Sequence, residues 1–335
     1  MDNVWEGADK MEKRNAYWDN AKTVLIFLVV FGHYLIEMGY KENLVEAVYQ
    51  WIYLFHMPAF IFVSGYFSKN FVKRKGDSSK LLGFLVLYVV FSVMLWIMDA
   101  LTVKELTKPD LFSTGSAQWY MLAMFFWYLS LLFVSELPAG ITIAVVFVLG
   151  LLVGFEKNAG NFLSMSRVIV FYPFFLLGYY FKEEWLEKIT LKWKIVSGMF
   201  LTGIFVILLF YRKTVSPVLR FVYGNKSYSA LEFSNAEGVL YRGIWYIIAF
   251  LMTMSFLCII SSKRRFYTRV GEYTLPVYII HRVLRDGFVA LGLYRVIGYG
   301  IPALIVCGVI SFFMLFFCAN KTFGKLCNAA FQIRK

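Results

Sequence analysis

Apolar runs long enough to cross a bilayer recur along the whole chain, and no other feature restricts the fold so tightly. AKTVLIFLVVFGHYLIEMGY, LLGFLVLYVVFSVMLWIMDAL, AGITIAVVFVLGLLVGF and ALIVCGVISFFMLFFCA each approach the ~20 residues that a helix needs to traverse the hydrocarbon core. At 335 residues a soluble chain would suggest two domains, but 60% hydrophobic and 20% aromatic content with 16% charged residues belongs to the membrane class. The expected fold is an all-α polytopic integral membrane protein, a single domain over residues 1–335.

Apolar runs between loop signals predict about ten transmembrane helices, near 23–40, 46–68, 80–101, 116–135, 139–155, 163–181, 194–211, 243–261, 273–291 and 300–319. An even number puts both termini on one side. The excess of 34 Lys and Arg over 21 Asp and Glu could mean a nucleic-acid partner, so its distribution decides. Five clusters, around Lys10–Lys22, Lys69–Lys80, Lys182–Lys194, Lys263–Arg269 and Lys321–Lys335, hold 21 of the 34 and alternate with poorer loops. That is the signature of cytoplasmic loops, with the bilayer as partner and no nucleic acid. Residues 1–22 then form a cytoplasmic N-terminal segment. They lack the pattern of a removable leader, so the first apolar run reads as a signal anchor. The exception is 212–242, expected as a long extracytoplasmic loop: it carries five basic residues among Tyr, Asn, Ser and Glu, and is either a polar-ligand surface or a plain exposed connector.

The chain has three histidines, His33, His56 and His281, and all fall inside expected spans. At ~1.5 Å per residue each lies roughly 12–15 Å from a membrane face. An ionisable side chain at that depth marks a proton, ion or catalytic site by default, against the alternative of a histidine that only ties helices together. Gly32 precedes His33 and would let a neighbour approach closely. Glu37, one turn on, could orient the imidazole and raise its basicity for deprotonating a hydroxyl, or could sit at the interface. His56 lies in FHMPAFIFVSGYF, two residues before Pro58, where a freed carbonyl calls for a cavity to satisfy it. The four cysteines have no CxxC or Cys/His ligand spacing, so neither a disulfide framework nor a metal site is expected.

Around His281, TLPVYIIHRVLRD adds Arg282 at depth and Arg285 further out, the latter expected to snorkel. Arg167 is placed near the outer end of the sixth span. A guanidinium at depth should face a cavity, a carboxylate or an anionic ligand. On the cytoplasmic side Arg14, Asp19 and Lys22 precede the first span, and Lys73 and Arg74 follow the second. These basic feet could hold the phosphates of a nucleotide-like donor, or serve topology alone. Asp19 could be the N-cap of the first helix.

Taken in order, RNAYWDNAKTVLIFLVVFGH, FHMPAFIFVSGYF, QWYMLAMFFW, SRVIVFYPFFLLGYYF and GEYTLPVYIIH resemble the membrane acyltransferase 3 family, in particular its fucose 4-O-acetylase-like branch. The resemblance implies transfer of an acyl group, usually acetyl from cytosolic acetyl-CoA, to a hydroxyl of a glycan beyond the membrane, in a bacterial cytoplasmic membrane. Its motif of a basic residue, ten others and a histidine maps onto Lys22 and His33, with lysine where many relatives have arginine. The basic motif after the second helix corresponds to Lys73 and Arg74. Such chemistry needs a base, oxyanion donors and a dry path for the acyl group. His33 fits the base or acyl carrier, His56 or His281 with Arg282 the oxyanion donors, and Trp119 and Tyr120 a stacking surface for pantetheine or sugar.

Two other classes compete. A transporter or flippase for a glycan or organic anion would also place His and Arg at mid-depth, but would carry matching broken helices in two halves, which the sequence does not display. A scaffold of envelope assembly leaves three buried histidines without a role.

Overall fold

The computed structural model describes residues 15–37, 42–73, 76–103, 110–113, 116–160 and 162–332. Among these the chain is helical, with one isolated bridge joining Ser113 to Phe162. In order, the helices are α1 (Ala16–Glu37), α2 (Asn43–Lys73), α3 (Ser78–Val103), α4 (Trp119–Val134), α5 (Ala139–Leu152), α6 (Met165–Tyr180), α7 (Glu184–Glu187) and α8 (Leu191–Leu219). They continue with α9 (Asn235–Ile259), α10 (Thr274–Ala290), α11 (Leu293–Ile297), α12 (Gly300–Cys318) and α13 (Lys321–Ala329). Every one of the ten expected spans falls on a helix. Among the described residues, α1, α2, α3, α8, α9 and α12 are long and apolar enough to cross a membrane. Helices α4, α5 and α6 are shorter and apolar, and α10 carries His281, Arg282, Arg285 and Asp286 along one stripe.

In hydrocarbon there is little apolar drive between helices, so close backbone packing decides which helix is central. Of the apolar window of α2, 72% is buried inside the protein, against 17% for α8; α2 is the hub and α8 faces outward. It runs as one helix through Pro58 and crosses α6 backbone to backbone. A Cβ on Gly65 would lie 1.9 Å from the Phe175 carbonyl oxygen, and one on Gly178 1.9 Å from that of Phe62. Both crossing points therefore exclude any side chain. Outward-facing Met199, Phe210, Phe313 and Phe317 give α8 and α12 the apolar exterior that lipid requires.

Helix ends differ from the sequence reading in instructive ways. Helix α1 begins at Ala16, so Asp19 and Lys22 lie within it and not before it. Asn15 is the capping residue, its side chain accepting from the Tyr17 N–H at 3.0 Å. Asp19 is buried and pairs with Lys22 at 2.8 Å. Asn20 donates to the Ser261 and Lys263 carbonyls at 2.7 and 2.9 Å and accepts from Thr268 at 2.6 Å. Polar residues in the first turns of α1 thus tie down the loop before α10.

The expected 212–242 loop is mostly helix. Residues 212–219 complete α8, and α9 begins at Asn235 behind a capping box in which Ser234 and Glu237 satisfy each other's backbone N–H. The non-helical piece is 220–234, apart from a short 3₁₀ turn at Ser229–Leu231. Arg242 is no exposed loop cation. It is buried in α9, donating to the Gly150 and Lys226 carbonyls at 3.0 Å each, with its guanidinium 4.6 Å from the Tyr228 ring centre. It clamps 220–234, the segment that carries Tyr223, onto the bundle.

Candidate active site

Between α1, α2, α4, α6 and α10 lies a cavity of about 340 Å³. All three helices that carry a histidine contribute to its wall: His33 from α1, His56 from α2, and α10 through Tyr278, Arg282 and Arg285, with His281 directly behind His33. The His33 Nδ1 and His281 Nε2 atoms are 2.9 Å apart, and the rings lie nearly parallel, 5.2 Å between centres.

Hydrogen bonding assigns the protons. The His281 Nδ1 lies 2.7 Å from the Val277 carbonyl oxygen, which can only accept, so Nδ1 carries the hydrogen and Nε2 the lone pair. That lone pair must receive a hydrogen from His33 Nδ1. The His33 Nε2 is then left unprotonated on a residue that lines the cavity, the state a base or nucleophile requires. His56 is held by the same device, its Nδ1 donating to the Ile52 carbonyl at 2.8 Å, so its Nε2 also offers a lone pair. Neither His281, with both nitrogens engaged, nor neutral His56 has an N–H left for an oxyanion. Of the expected donors, the geometry leaves Arg282.

Glu37 does not orient His33. It accepts from Arg285 in a short ion pair, and His281 occupies the orienting position instead. Arg285 does not snorkel either: it is buried and also donates to Asp286, at 3.1 Å from Nε and 2.5 Å from a terminal nitrogen. Asp286 accepts from Arg282 as well. Arg282 reaches the Ser116 hydroxyl at 3.3 and 3.2 Å, and Tyr278 donates to the Ala117 carbonyl at 2.6 Å, so α10 holds the segment before α4 against the cavity. Two acids compensate two arginines here, as depth demands. The sequence reading passed over Asp286, although it stands four residues after Arg282, one turn along the same face.

Arg167 lines the cavity from the start of α6. Its Nε donates to the Tyr223 carbonyl at 3.3 Å, and its guanidinium stacks over Trp119 at 5.3 Å. Trp119 in turn stacks on Phe171. Ser116, Tyr53, Tyr223 and Tyr278 also contribute to the wall and were not singled out from the sequence. Tyr223 comes from 220–234, where its polar and aromatic composition was the available signal.

A second cavity, of about 250 Å³, lies towards the other end of α1. Lys22 lines it beside Phe60, Phe67, Tyr120, Met121 and Met124; the ammonium sits 4.9 Å from the Phe67 ring centre. Tyr120 faces this chamber and not the histidines, with its hydroxyl 2.5 Å from that of Ser64. Lys73 is exposed at the end of α2 and lines neither cavity. Arg14 and Arg74 lie outside the described residues.

Comparison with known proteins identifies the class of chemistry. A family model described as an acyltransferase domain matches residues 15–320. The nodulation protein NolL of Mesorhizobium japonicum is 25% identical over 309 residues, covering 84% of this chain and 81% of NolL. No solved structure matches the chain. The match takes in α1 to α12 and every histidine, and the protein therefore belongs to this acyltransferase family, whose members are membrane proteins.

Proposed function

We propose that the protein is a membrane O-acyltransferase that moves an acetyl group from cytosolic acetyl-CoA to a hydroxyl of an extracytoplasmic or lipid-linked glycan. In this reading ten helices cross a bacterial cytoplasmic membrane and both termini are cytoplasmic. The parallel course of α1 and α10 supports it, because the first and ninth members of an alternating series run the same way. Lys22 and His33 are eleven residues apart on one helix, about 16 Å, comparable to the extended pantetheine arm of coenzyme A. Lys22 then meets the phosphate end of the donor while the thioester reaches His33.

The observation that carries the reading is the His33–His281 contact, with the lone pair it leaves on His33 Nε2. That nitrogen takes the proton of the acceptor hydroxyl as its oxygen attacks the thioester carbonyl carbon. His281 accepts from the resulting imidazolium, but its own Nδ1–H ends on a backbone carbonyl, so the proton has no onward path. It returns from His33 Nε2 to the sulfur as the carbon–sulfur bond breaks, releasing coenzyme A thiol and the ester. The same lone pair would attack the carbonyl in a covalent acyl-histidine course. Arg282, steadied by Asp286 and Ser116, supports the developing oxyanion, and Arg167 with Trp119 offers a charged and stacking surface to the sugar.

Protein reconstituted in lipid nanodiscs, given acetyl-labelled acetyl-CoA and a bacterial surface glycan, tests this by mass spectrometry of the glycan. Transfer by the wild type and its loss in folded His33→Ala is the expected result. Full activity in His33→Ala would remove the central assignment. Movement of glycan across vesicle membranes without any acyl donor would favour a transporter.

A further inference from the structure

Among the described residues, Tyr278 alone lines both cavities. It stands one turn before His281 on α10, buried, between the chamber that begins at Lys22 and the chamber that contains the histidines. Three contacts fix its ring. Its hydroxyl donates to the Ala117 carbonyl at 2.6 Å; Tyr120 packs against it at 5.4 Å between ring centres, and Phe91 at 6.0 Å. The His281 ring meets it at 6.1 Å, steeply inclined, so displacement of Tyr278 would disturb the histidine pair. The side chain is therefore a wall and not a flap.

We propose that Tyr278 sets the size of the acyl group the enzyme accepts, admitting short thioesters and excluding longer aliphatic ones. The proposal rests on the donor reaching His33 from the Lys22 chamber, as in the functional reading above. The first chamber is the smaller of the two, at about 250 Å³, and its lining includes Phe60, Phe67, Phe84, Tyr120 and Tyr128. A thioester arm lying in it presents its carbonyl at the Tyr278 wall. An acetyl group adds only one methyl beyond that carbonyl, the least volume that the space beside the ring has to take. A longer chain must either push into the 340 Å³ second chamber, where the glycan also has to sit, or fold back against a ring that three contacts hold in place. The cost falls on the acyl chain alone, because the arm, the sulfur and the carbonyl are common to all donors.

The test is a donor panel of acetyl-, butanoyl- and octanoyl-CoA with the reconstituted full chain, read as kcat/KM for ester formation on the glycan. Tyr278→Ala should raise the octanoyl-to-acetyl ratio by about tenfold or more, the scale on which a hydrophobic pocket discriminates by size. Tyr278→Leu, which keeps apolar volume in the wall and guards against a misfolded alanine variant, should shift the ratio the same way to a smaller extent. Tyr278→Phe keeps the ring and should keep the acetyl preference. Ratios unchanged in alanine and leucine variants that still transfer acetyl would overturn the proposal and leave the acyltransferase reading intact. A wild type that uses none of the three thioesters would overturn both.

Discussion

Glu37 on α1 and Arg285 on α10 pair one helical turn beyond His33 and His281, so two parallel helices are joined twice in the same register. Each member of the outer pair stands four residues after a member of the inner one. The ion pair fixes the helical phase at which the two imidazoles meet, and the imidazole contact fixes which nitrogen of His33 faces the cavity. In the proposed function His281 is therefore a positioning residue that acts through His33, since both its nitrogens are engaged.

Removing His281 should therefore impair turnover more than binding. His281→Ala leaves His33 free to place its proton on either nitrogen and takes away the partner of its cationic form. The expected loss in kcat is roughly 10²–10⁴-fold, the range of a positioned base, with the donor KM little changed. His281→Gln should recover part of the loss, because a side-chain carbonyl can still accept from His33 Nδ1. Steady-state kinetics on the two variants would decide, and a glutamine variant no better than alanine would count against the tautomer assignment.

The ion cluster should behave as a unit. Arg285→Ala strands Glu37 and removes half the compensation of Asp286, a change that costs about 1–3 kcal/mol where a hydrogen-bonded group is left without its partner in a part-buried site. Replacing both partners, as Glu37→Gln with Arg285→Met, removes the unpaired charge and should recover most of that stability. Thermal unfolding of the two variants in detergent checks this. Equal destabilisation would mean that the pair contributes attraction and not merely the avoidance of a stranded charge.

Much of this was legible in the sequence because lipid imposes strong rules. Each apolar run marked in the sequence lies on a helix, and three rare histidines led to the cavity without any knowledge of which helices touch. What escaped was whatever depends on pairing across helices. Glu37 looked like the partner of His33 because it is four residues away in sequence; its partner is Arg285, from an element more than two hundred residues on. Arg285 looked like an interfacial cation because its partner Glu37 stands on α1, far away in sequence; Asp286, by contrast, lies on α10 itself, one turn after Arg282. Asp19 and Lys22 were expected in front of a helix that in fact starts at Ala16, because polar residues there answer to protein partners and not to water: Asp19 to Lys22, and Asn20 and Thr23 to the carbonyls of Ser261, Lys263 and Tyr267. The residues before α4, Ser116 and Ala117, carry no signal of their own and enter the site only through Arg282 and Tyr278.

The α2–α6 crossing gives a stability prediction independent of chemistry. Gly65→Ala puts a methyl carbon 1.9 Å from the Phe175 carbonyl, which real contacts never reach, so the helices must separate along the hub of the fold. Gly140→Ala at the start of α5 meets nothing within 4 Å and is the matched control. Loss of folded protein after size-exclusion chromatography is expected for the first and not the second. A Gly65→Ala variant as stable as wild type would mean that α6 can shift without consequence for the core.

In the proposed function Lys22 is the remaining handle on the donor. It is half-buried at the end of the smaller chamber, pairs with Asp19 at 2.8 Å and lies over Phe67, so its ammonium is held in place before any ligand arrives. A preorganised cation at the phosphate end of a nucleotide donor contributes chiefly to binding. Lys22→Ala should accordingly raise the KM for acetyl-CoA by about tenfold, the effect of losing one charge-assisted hydrogen bond of ~1.5 kcal/mol, while the acceptor KM stays near the wild-type value. Asp19→Asn, which leaves the cation without its compensating charge, should change donor KM in a salt-dependent way. Titrations of both substrates separate the outcomes: an effect of Lys22→Ala confined to the acceptor would put the donor at the other end of the site and reverse the direction in which the thioester approaches His33.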